Sequence, residues 1–252
     1  MCQFCPILPA ARESRRSFLG KFAAALVVST SLFSPPRARA QTDEPLARRN
    51  GWARLITPHP FWNLHIEQDP IIANFLRREA RLNLEPNSYT VDPADLDVLS
   101  SFPFIFTNDL SAIVDSKQLD HLQEYLRRGG FFYIEACLDH RATRGFGDFL
   151  SRHAALFSQL VPDAEVRRLA SDHAIFQSYF RVDETELARI NPSVDPERWK
   201  GAPPALYGVF QQNRIISLVC LDHLQCEWIT KPDKIPLALQ QIANLYVYTM
   251  TR

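Results

Sequence analysis

The sequence predicts an α/β protein with one doubly wound, mainly parallel sheet and helices on both faces. Short apolar runs alternate with amphipathic helical patterns along most of the chain. The connections between these segments are short. Residues 102–107 and 131–134 are almost wholly apolar, as expected of strands buried on both faces of a parallel sheet.

The first part of the domain is predicted to contain two strand-helix units. Residues 54–57 form a strand, and Asp69-Pro70 then opens a helix as its N-cap and first helical residue. Residues 88–91 form a short second strand. Asp92-Pro93 opens a short helix through Leu99 by the same device.

Two buried strands follow, separated by a helix. The strand at 102–107 carries Pro103 at its beginning, because proline cannot donate a hydrogen bond inside a sheet. Ser116 caps the next helix, which Gly129-Gly130 ends. Residues 131–134 then form a further strand.

The last part of the chain contains two more helices and two strands. A helical face runs over residues 146–160, and residues 164–204 show no regular pattern. Two strands and a closing helix are predicted at 205–210, 214–219 and 237–249. Right-handed alternation of this kind gives a flavodoxin-like sheet, and such sheets bind ligands beyond the carboxyl ends of their strands.

The N-terminal segment is predicted to be an export signal. Arg15 and Arg16 precede an apolar stretch, an arrangement that resembles a twin-arginine signal. The stretch from 22 to 33 is about 12 residues long, whereas a membrane-spanning helix needs roughly 20. Ala38 and Ala40 stand where a signal peptidase requires small residues.

This prediction sets the domain organisation and the compartment. We expect a cleaved signal at 1–40, a short extension at 41–50 and a single α/β domain at 51–252. The twin-arginine translocase would be a partner during export, and the mature protein would reside in the periplasm without a stable membrane span.

Charge and glycine content exclude two classes of ligand. The first 40 residues hold six of the 28 basic residues and one of the 28 acidic residues, which leaves 22 against 27 and a net charge of −5. A mildly acidic protein lacks the electrostatic footprint for nucleic acid. The eight glycines form neither of the common phosphate-binding motifs, so we expect no nucleotide cofactor.

The mature chain retains three cysteines, Cys137, Cys220 and Cys226, so in an oxidising compartment one disulfide can form and one thiol stays unpaired. Cys137 lies at a strand end, where a nucleophile would stand, but the neighbouring residues are not the small ones that a strained nucleophile turn needs. A buried Cys137, or a disulfide between it and Cys226, is the favoured interpretation.

The predicted carboxyl edge of the sheet collects the polar residues most suited to chemistry. The candidate ligand-binding set is Asn108, Asp109, Asp222 and Trp228, and the candidate catalytic set is Glu135, Cys137, Asp139 and His140.

A divalent metal is a further candidate cofactor. Four of the seven histidines directly follow an aspartate, and three of these pairs fall in predicted loops. The candidate metal ligands are His140, His173, Asp222 and His223. The competing interpretation is that these residues are solvated loop residues or helix caps.

From about residue 52 to 249 the chain resembles the bacterial family called domain of unknown function 4159. The resemblance is carried by residues 125–135, Asp172-His173-Ala174-Ile175-Phe176 with Tyr179, Gly208-Val209 with Arg214, Leu221-Asp222 with Cys226-Glu227-Trp228, and Ala243-Asn244-Leu245-Tyr246. It implies a flavodoxin-like or class I glutamine amidotransferase-like sheet in an exported or membrane-associated protein, with no established activity. Members often carry an Asp-rich strand end where this chain has Glu135-Ala136-Cys137.

Three functional hypotheses remain open. The leading one is a non-catalytic binding or assembly module whose strand-end loops recognise an envelope protein or a small ligand. The alternative is a metal-assisted or Cys/His-dependent hydrolase, which requires at least three candidate side chains to converge in a pocket. The third is a redox protein that uses Cys220 and Cys226.

Overall fold

The computed structural model describes residues 49–136, 145–187, 202–203, 205–222, 224–228 and 236–251. Within these ranges the chain forms seven strands: β1 Trp52–Leu55, β2 Ser88–Val91, β3 Phe104–Thr107, β4 Phe131–Glu135, β5 Ala164–Arg168, β6 Leu206–Gln211 and β7 Arg214–Cys220. The helices are α1 Asp69–Arg78, α2 Leu96–Ser101, α3 Ser116–Arg127, α4 Phe146–Leu160, α5 Glu184–Leu187 and α6 Leu237–Thr251.

These seven strands form one sheet in the order β2-β1-β3-β4-β7-β6-β5. The strands β2, β1, β3, β4 and β7 run parallel, and β6 and β5 extend the sheet in antiparallel pairing. Since β7 occupies the fifth position, the parallel part follows the flavodoxin-like order 2-1-3-4-5. The predicted fold class is confirmed.

Two hydrophobic cores lie on opposite faces of the sheet. Helices α1 and α6 cover aromatic residues such as Trp52, Phe104 and Tyr133. Helices α2, α3 and α4 cover the other face, where Phe132 of β4 and Phe149 of α4 are buried. Successive strand residues point to opposite faces, so each central strand contributes to both cores. Each buried aromatic side chain contributes about 1.5–3 kcal/mol of stability.

The predicted starts of three helices are wrong by a few residues. Gln68, not Asp69, occupies the N-cap position of α1, and Asp69 is its first helical residue. Asp95 caps α2 and Asp115 caps α3, each accepting a hydrogen bond from a backbone N–H three residues on. Asp92 instead closes a turn by accepting from Ala94 N–H. At α2 and α3 a neighbouring aspartate thus supplies the cap, whereas Gln68 makes no side-chain cap hydrogen bond at α1.

The structure also contains a strand where the sequence shows no regular pattern. β5 pairs with β6 at one edge of the sheet and carries Glu165, Arg167 and Arg168. A charged edge strand lacks an alternating apolar pattern, and its charges oppose pairing with another chain.

The predicted signal residues Arg15, Arg16, Ala38 and Ala40 lie outside the described residues. Among the helices of the described ranges, none combines the length and the apolar character needed to cross a membrane.

Candidate functional site

Arg54 is a fully buried cation in the middle of β1. Its guanidinium donates two hydrogen bonds of 2.7 Å to the carboxylate of Asp69 and lies over the ring of Phe106 at 4.5 Å. A buried charge is tolerated when it is paired and hydrogen-bonded. Asp69, the first residue of α1, is therefore the counter-ion of Arg54 in β1.

The Arg54 guanidinium also holds the loop that follows β1. It donates to the carbonyl oxygens of Trp62 and Leu64 and, at 2.8 Å, to the Oδ1 atom of Asn108 after β3. The Asn108 amide donates to Gln225, and the Gln225 amide donates back to the Leu64 carbonyl. Arg54 and Gln225 therefore bind the loop directly, and Asn108 links these two side chains to each other.

Glu135, the last residue of β4, belongs to the same hydrogen-bond network. Its carboxylate accepts hydrogen bonds from the Gln225 N–H and from the Tyr133 hydroxyl. Burial raises its pKa to about 7, an effect that the neighbouring Asp222 reinforces and that the two donors partly offset. Cys220 beside it is a buried free thiol, and burial raises its pKa.

Asp222 lies just beyond β7 and is also buried. The pKa of Asp222 is raised to about 7, chiefly by burial and also by the charge of Glu184, while Arg168 opposes the shift. Arg168 is itself paired with Glu184, at 2.5 Å. Two carboxyl groups with raised pKa values thus lie at the ends of the adjacent strands β4 and β7.

A more open group of polar residues lies at the ends of β1 and β3. The Asp109 carboxylate accepts from the backbone N–H and the hydroxyl of Ser111, at 2.9 and 2.6 Å, and from Arg152 of α4, at 3.1 Å. Burial acts to raise the pKa of Asp109, but His153, Ser111 and Arg152 together hold it below its ordinary value. Asp109 is therefore ionised at neutral pH.

His153 is a buried, neutral support for this group. Its Nδ1–H donates to the Phe149 carbonyl at 2.8 Å, and its Nε2 atom accepts from Leu110 N–H at 3.2 Å. Burial lowers its pKa to about 4. The 3.4 Å approach of its Nε2 atom to Asp109 is accordingly no ion pair at neutral pH, and the Asp109 charge is balanced by Arg152.

His59 follows β1 and faces Asp109 from the other side. Its Nδ1 atom accepts from Phe61 N–H at 3.3 Å, so the Nε2 atom carries the proton of the neutral ring. Nε2 lies 3.9 Å from the Asp109 Oδ2 atom. Burial lowers the pKa of His59, Asp109 opposes this and Arg152 adds to it.

We call His59, Phe61, Asp109, Ser111 and Arg152 the switch-point surface. The chain leaves β1 towards β2 on one side and returns to β3 on the other, and ligands of doubly wound sheets bind at this reversal. The His59 side chain is 17% exposed and the Arg152 side chain 37%. These two side chains give the carboxyl edge polar groups that solvent reaches.

A family model described as "Domain of unknown function (DUF4159)" matches residues 52–250. The chain belongs to this family. The match runs from β1 through β7 and covers nearly all of α6, so the buried network and the switch-point surface both lie inside the DUF4159 domain. No curated protein matches the chain.

The four predicted ligand-binding residues lie in different parts of the DUF4159 domain. Asp109 belongs to the switch-point surface. Asn108 is tied into the buried network, Asp222 is buried beyond β7, and Trp228 packs edge-on against Trp52 at 6.0 Å in the core.

The predicted catalytic and metal-binding residues are only partly described. Glu135 and Asp222 are buried, and His173 caps a 3₁₀ turn by accepting from Ile175 N–H. Cys137, Asp139, His140 and His223 lie outside the described residues. Among the residues that the structure describes, no three His, Cys, Asp or Glu side chains form a group that could hold a metal ion. The metal site stays a prediction.

Sequence reasoning missed Arg54, Gln225, Arg152 and His153 as parts of this DUF4159 edge. An arginine within an apolar strand was a visible signal for Arg54, because a buried cation requires a buried partner. Arg152 and His153 come from a helix whose position against β3 is set by tertiary packing. No local pattern in the sequence marks them.

Proposed function

We propose that this protein is an exported periplasmic binding module that holds a ligand at the switch-point surface and performs no chemistry on it. The strongest support is that several acid and base groups at the carboxyl edge are already hydrogen-bonded to other groups of the protein. Among the residues that the structure describes, the Glu135 carboxylate, the His153 ring and the Nδ1 atom of His59 are engaged in such hydrogen bonds.

Three side chains illustrate this commitment. Both Glu135 oxygens accept hydrogen bonds from the protein itself. Both nitrogens of the buried His153 ring are bonded to backbone groups. The Nδ1 atom of His59, which a general base would present to a substrate, accepts from the backbone of Phe61.

The rigid loop after β1 also favours binding. Arg54 and Gln225 hold its carbonyl groups from inside, so His59 and Phe61 are presented without a large ordering cost. A preorganised surface gains affinity because less conformational entropy is lost when the ligand binds.

Binding can be tested by the thermal stability of the purified mature protein. Fractions of a periplasmic extract, separated into small molecules and macromolecules, are added to the wild type, to Arg152→Gln and to Arg127→Gln. Arg127 is a matched control, because it is an exposed arginine paired with a carboxylate at the C-terminal end of α3, outside the switch-point surface. We expect one fraction to raise the melting temperature of the wild type and of Arg127→Gln, but not of Arg152→Gln. A shift that is equal in all three proteins, or absent in all, contradicts the proposal.

The metal-assisted or Cys/His-dependent hydrolase is the second candidate. Glu135 and Asp222 favour it, because two neighbouring carboxyl groups with pKa values of about 7 suit proton transfer. Elemental analysis of the protein and of an Asp222→Ala, His173→Ala double variant tests its metal-assisted form. Near one equivalent of a transition metal, lost in the variant, supports the hydrolase, and metal-free folded protein in both samples counts against it.

Export through the twin-arginine pathway is part of the proposal. Replacing Arg15 and Arg16 together by lysine should retain the protein in the cytoplasm, because the paired arginines form the recognition motif. N-terminal sequencing of the exported protein should begin at Gln41. An unprocessed chain found in the periplasm would contradict the predicted cleavage.

A further inference from the structure

The gap between His59 and Asp109 has a hydrogen-bond donor on one side and an acceptor on the other. The His59 Nε2 atom, which carries the ring proton, lies 3.9 Å from the Oδ2 atom of the ionised Asp109. Direct N–H···O hydrogen bonds measure about 2.7–3.2 Å, so this separation is too long for one. A hydroxyl oxygen lying beside this pair, about 2.8 Å from each atom, would accept from His59 and donate to Asp109, since a hydroxyl does both.

Charged ligand groups fit this gap poorly. A carboxylate or an ionised phosphate has no proton to donate to Asp109, and an ammonium group has no lone pair to accept from His59. Arg152 does not make the surface attractive to anions, because it is paired with both Asp109 and Asp148, at 3.1 and 3.3 Å. With His59 neutral, these groups carry a net negative charge.

One partly exposed aromatic ring, that of Phe61, borders the same gap. Phe61 lies edge-on to the His59 ring, with 5.8 Å between the ring centroids, and is half-buried. Arg152 extends over the Phe149 ring at 5.6 Å. A saccharide combines hydroxyl groups on its edge with an apolar C–H face, and the surface offers partners for both.

An extended peptide is a poorer match, although a serine hydroxyl could enter the gap. Peptides usually add to the open edge of a sheet. Here β1 and β3 are interior strands, each hydrogen-bonded on both sides. The surface therefore offers side chains rather than a free strand edge.

We infer that the switch-point surface binds an uncharged saccharide. One hydroxyl bridges His59 and Asp109, Arg152 donates to a neighbouring hydroxyl, and Phe61 contacts the sugar ring. This assignment rests on the proposed binding function and names its class of ligand.

The test is an array of uncharged and anionic oligosaccharides probed with the mature protein, followed by calorimetric titration of the best-bound glycan. The key variant is His59→Phe, which keeps a ring and removes the N–H donor. Its control is His121→Phe on α3, a half-buried histidine bonded to the Pro93 carbonyl. Loss of one neutral hydrogen bond should weaken binding about 3- to 10-fold in His59→Phe, and binding by His121→Phe should not change.

A second readout needs no variant. Adding the bound glycan should shift the His59 Nε2–H proton resonance, because that proton becomes hydrogen-bonded. The assignment is overturned if only anionic glycans bind. It is also overturned if an uncharged glycan binds but His59→Phe does not weaken the binding and the Nε2–H resonance does not shift. If no glycan binds while an extract fraction still stabilises the wild type but not Arg152→Gln, the ligand class is wrong and the binding function stands. If neither experiment detects a ligand, both proposals fail.

Discussion

The ion pair between Arg54 and Asp69 should be the largest single polar contribution to the stability of the carboxyl edge. Both side chains are almost wholly buried, and two hydrogen bonds of 2.7 Å join them. Arg54→Met leaves Asp69 buried without its counter-ion, which should cost about 3–5 kcal/mol of unfolding free energy. It also removes the donor to the Trp62 and Leu64 carbonyls, at about 1 kcal/mol for each lost hydrogen bond.

A double-mutant cycle separates these contributions. Asp69→Leu alone should be comparably destabilising, because the guanidinium then lacks its carboxylate. The double variant should lose much less than the sum of the two single losses, since no unpaired charge remains buried. Urea unfolding followed by tryptophan fluorescence measures all three free energies. We expect a coupling energy of about 3 kcal/mol.

Two results would refute this account of the ion pair. The first is a coupling energy below about 1 kcal/mol, which is the value typical of a pair exposed to solvent. The second is an Arg54→Met variant no less stable than Arg127→Met, in which the lost ion pair is exposed.

Three further predictions concern titration, packing and thiol reactivity. The pKa of Glu135 is raised to about 7, so the folded state holds this proton more tightly than the unfolded chain, and stability should fall as pH rises from about 4.5 to 7. Urea unfolding at pH 5.5 and 8 should show that Glu135→Gln removes roughly 2 kcal/mol of that decline, and an unchanged pH profile would show that Glu135 is not responsible. Gly130→Ala should destabilise the fold by about 1–3 kcal/mol, because the new Cβ collides with the Tyr125 ring. A urea midpoint equal to that of the wild type would refute this close packing. Cys220, buried and with a raised thiol pKa, should resist alkylation until the protein is unfolded, and peptide mapping that finds it labelled in the native state would disprove its burial.

The elements predicted best from the sequence are those with strong internal patterns. The helix predicted at 146–160 matches α4 residue for residue, and the apolar runs became the central strands β3 and β4. β5 escaped prediction because its three charged residues leave no apolar alternation to detect. Asp69 resembled an N-cap, but its carboxylate accepts hydrogen bonds from the buried Arg54 instead. This partner is set by tertiary structure, which the local sequence does not show.

The candidate site was less predictable because it depends on residues that meet only after folding. Asp109 was expected at the strand ends, where the flavodoxin-like order places a ligand. Its partners His59 and Arg152 come from positions 50 residues before and 43 residues after it in the sequence. Glu135 was expected to be available for chemistry, whereas Tyr133 and Gln225 engage its carboxylate inside the protein.

The most direct test of the central claim compares the two parts of the carboxyl edge in one ligand-binding measurement. Thermal stabilisation by the active extract fraction is measured for Glu135→Gln, which alters the buried network, and for His59→Phe, which alters the switch-point surface. We predict that Glu135→Gln keeps the stabilisation of the wild type and that His59→Phe is stabilised less, as a loss of affinity of about 3- to 10-fold requires. Loss of stabilisation in Glu135→Gln, with His59→Phe unaffected, would contradict the account and place the functional site at the buried carboxyl pair.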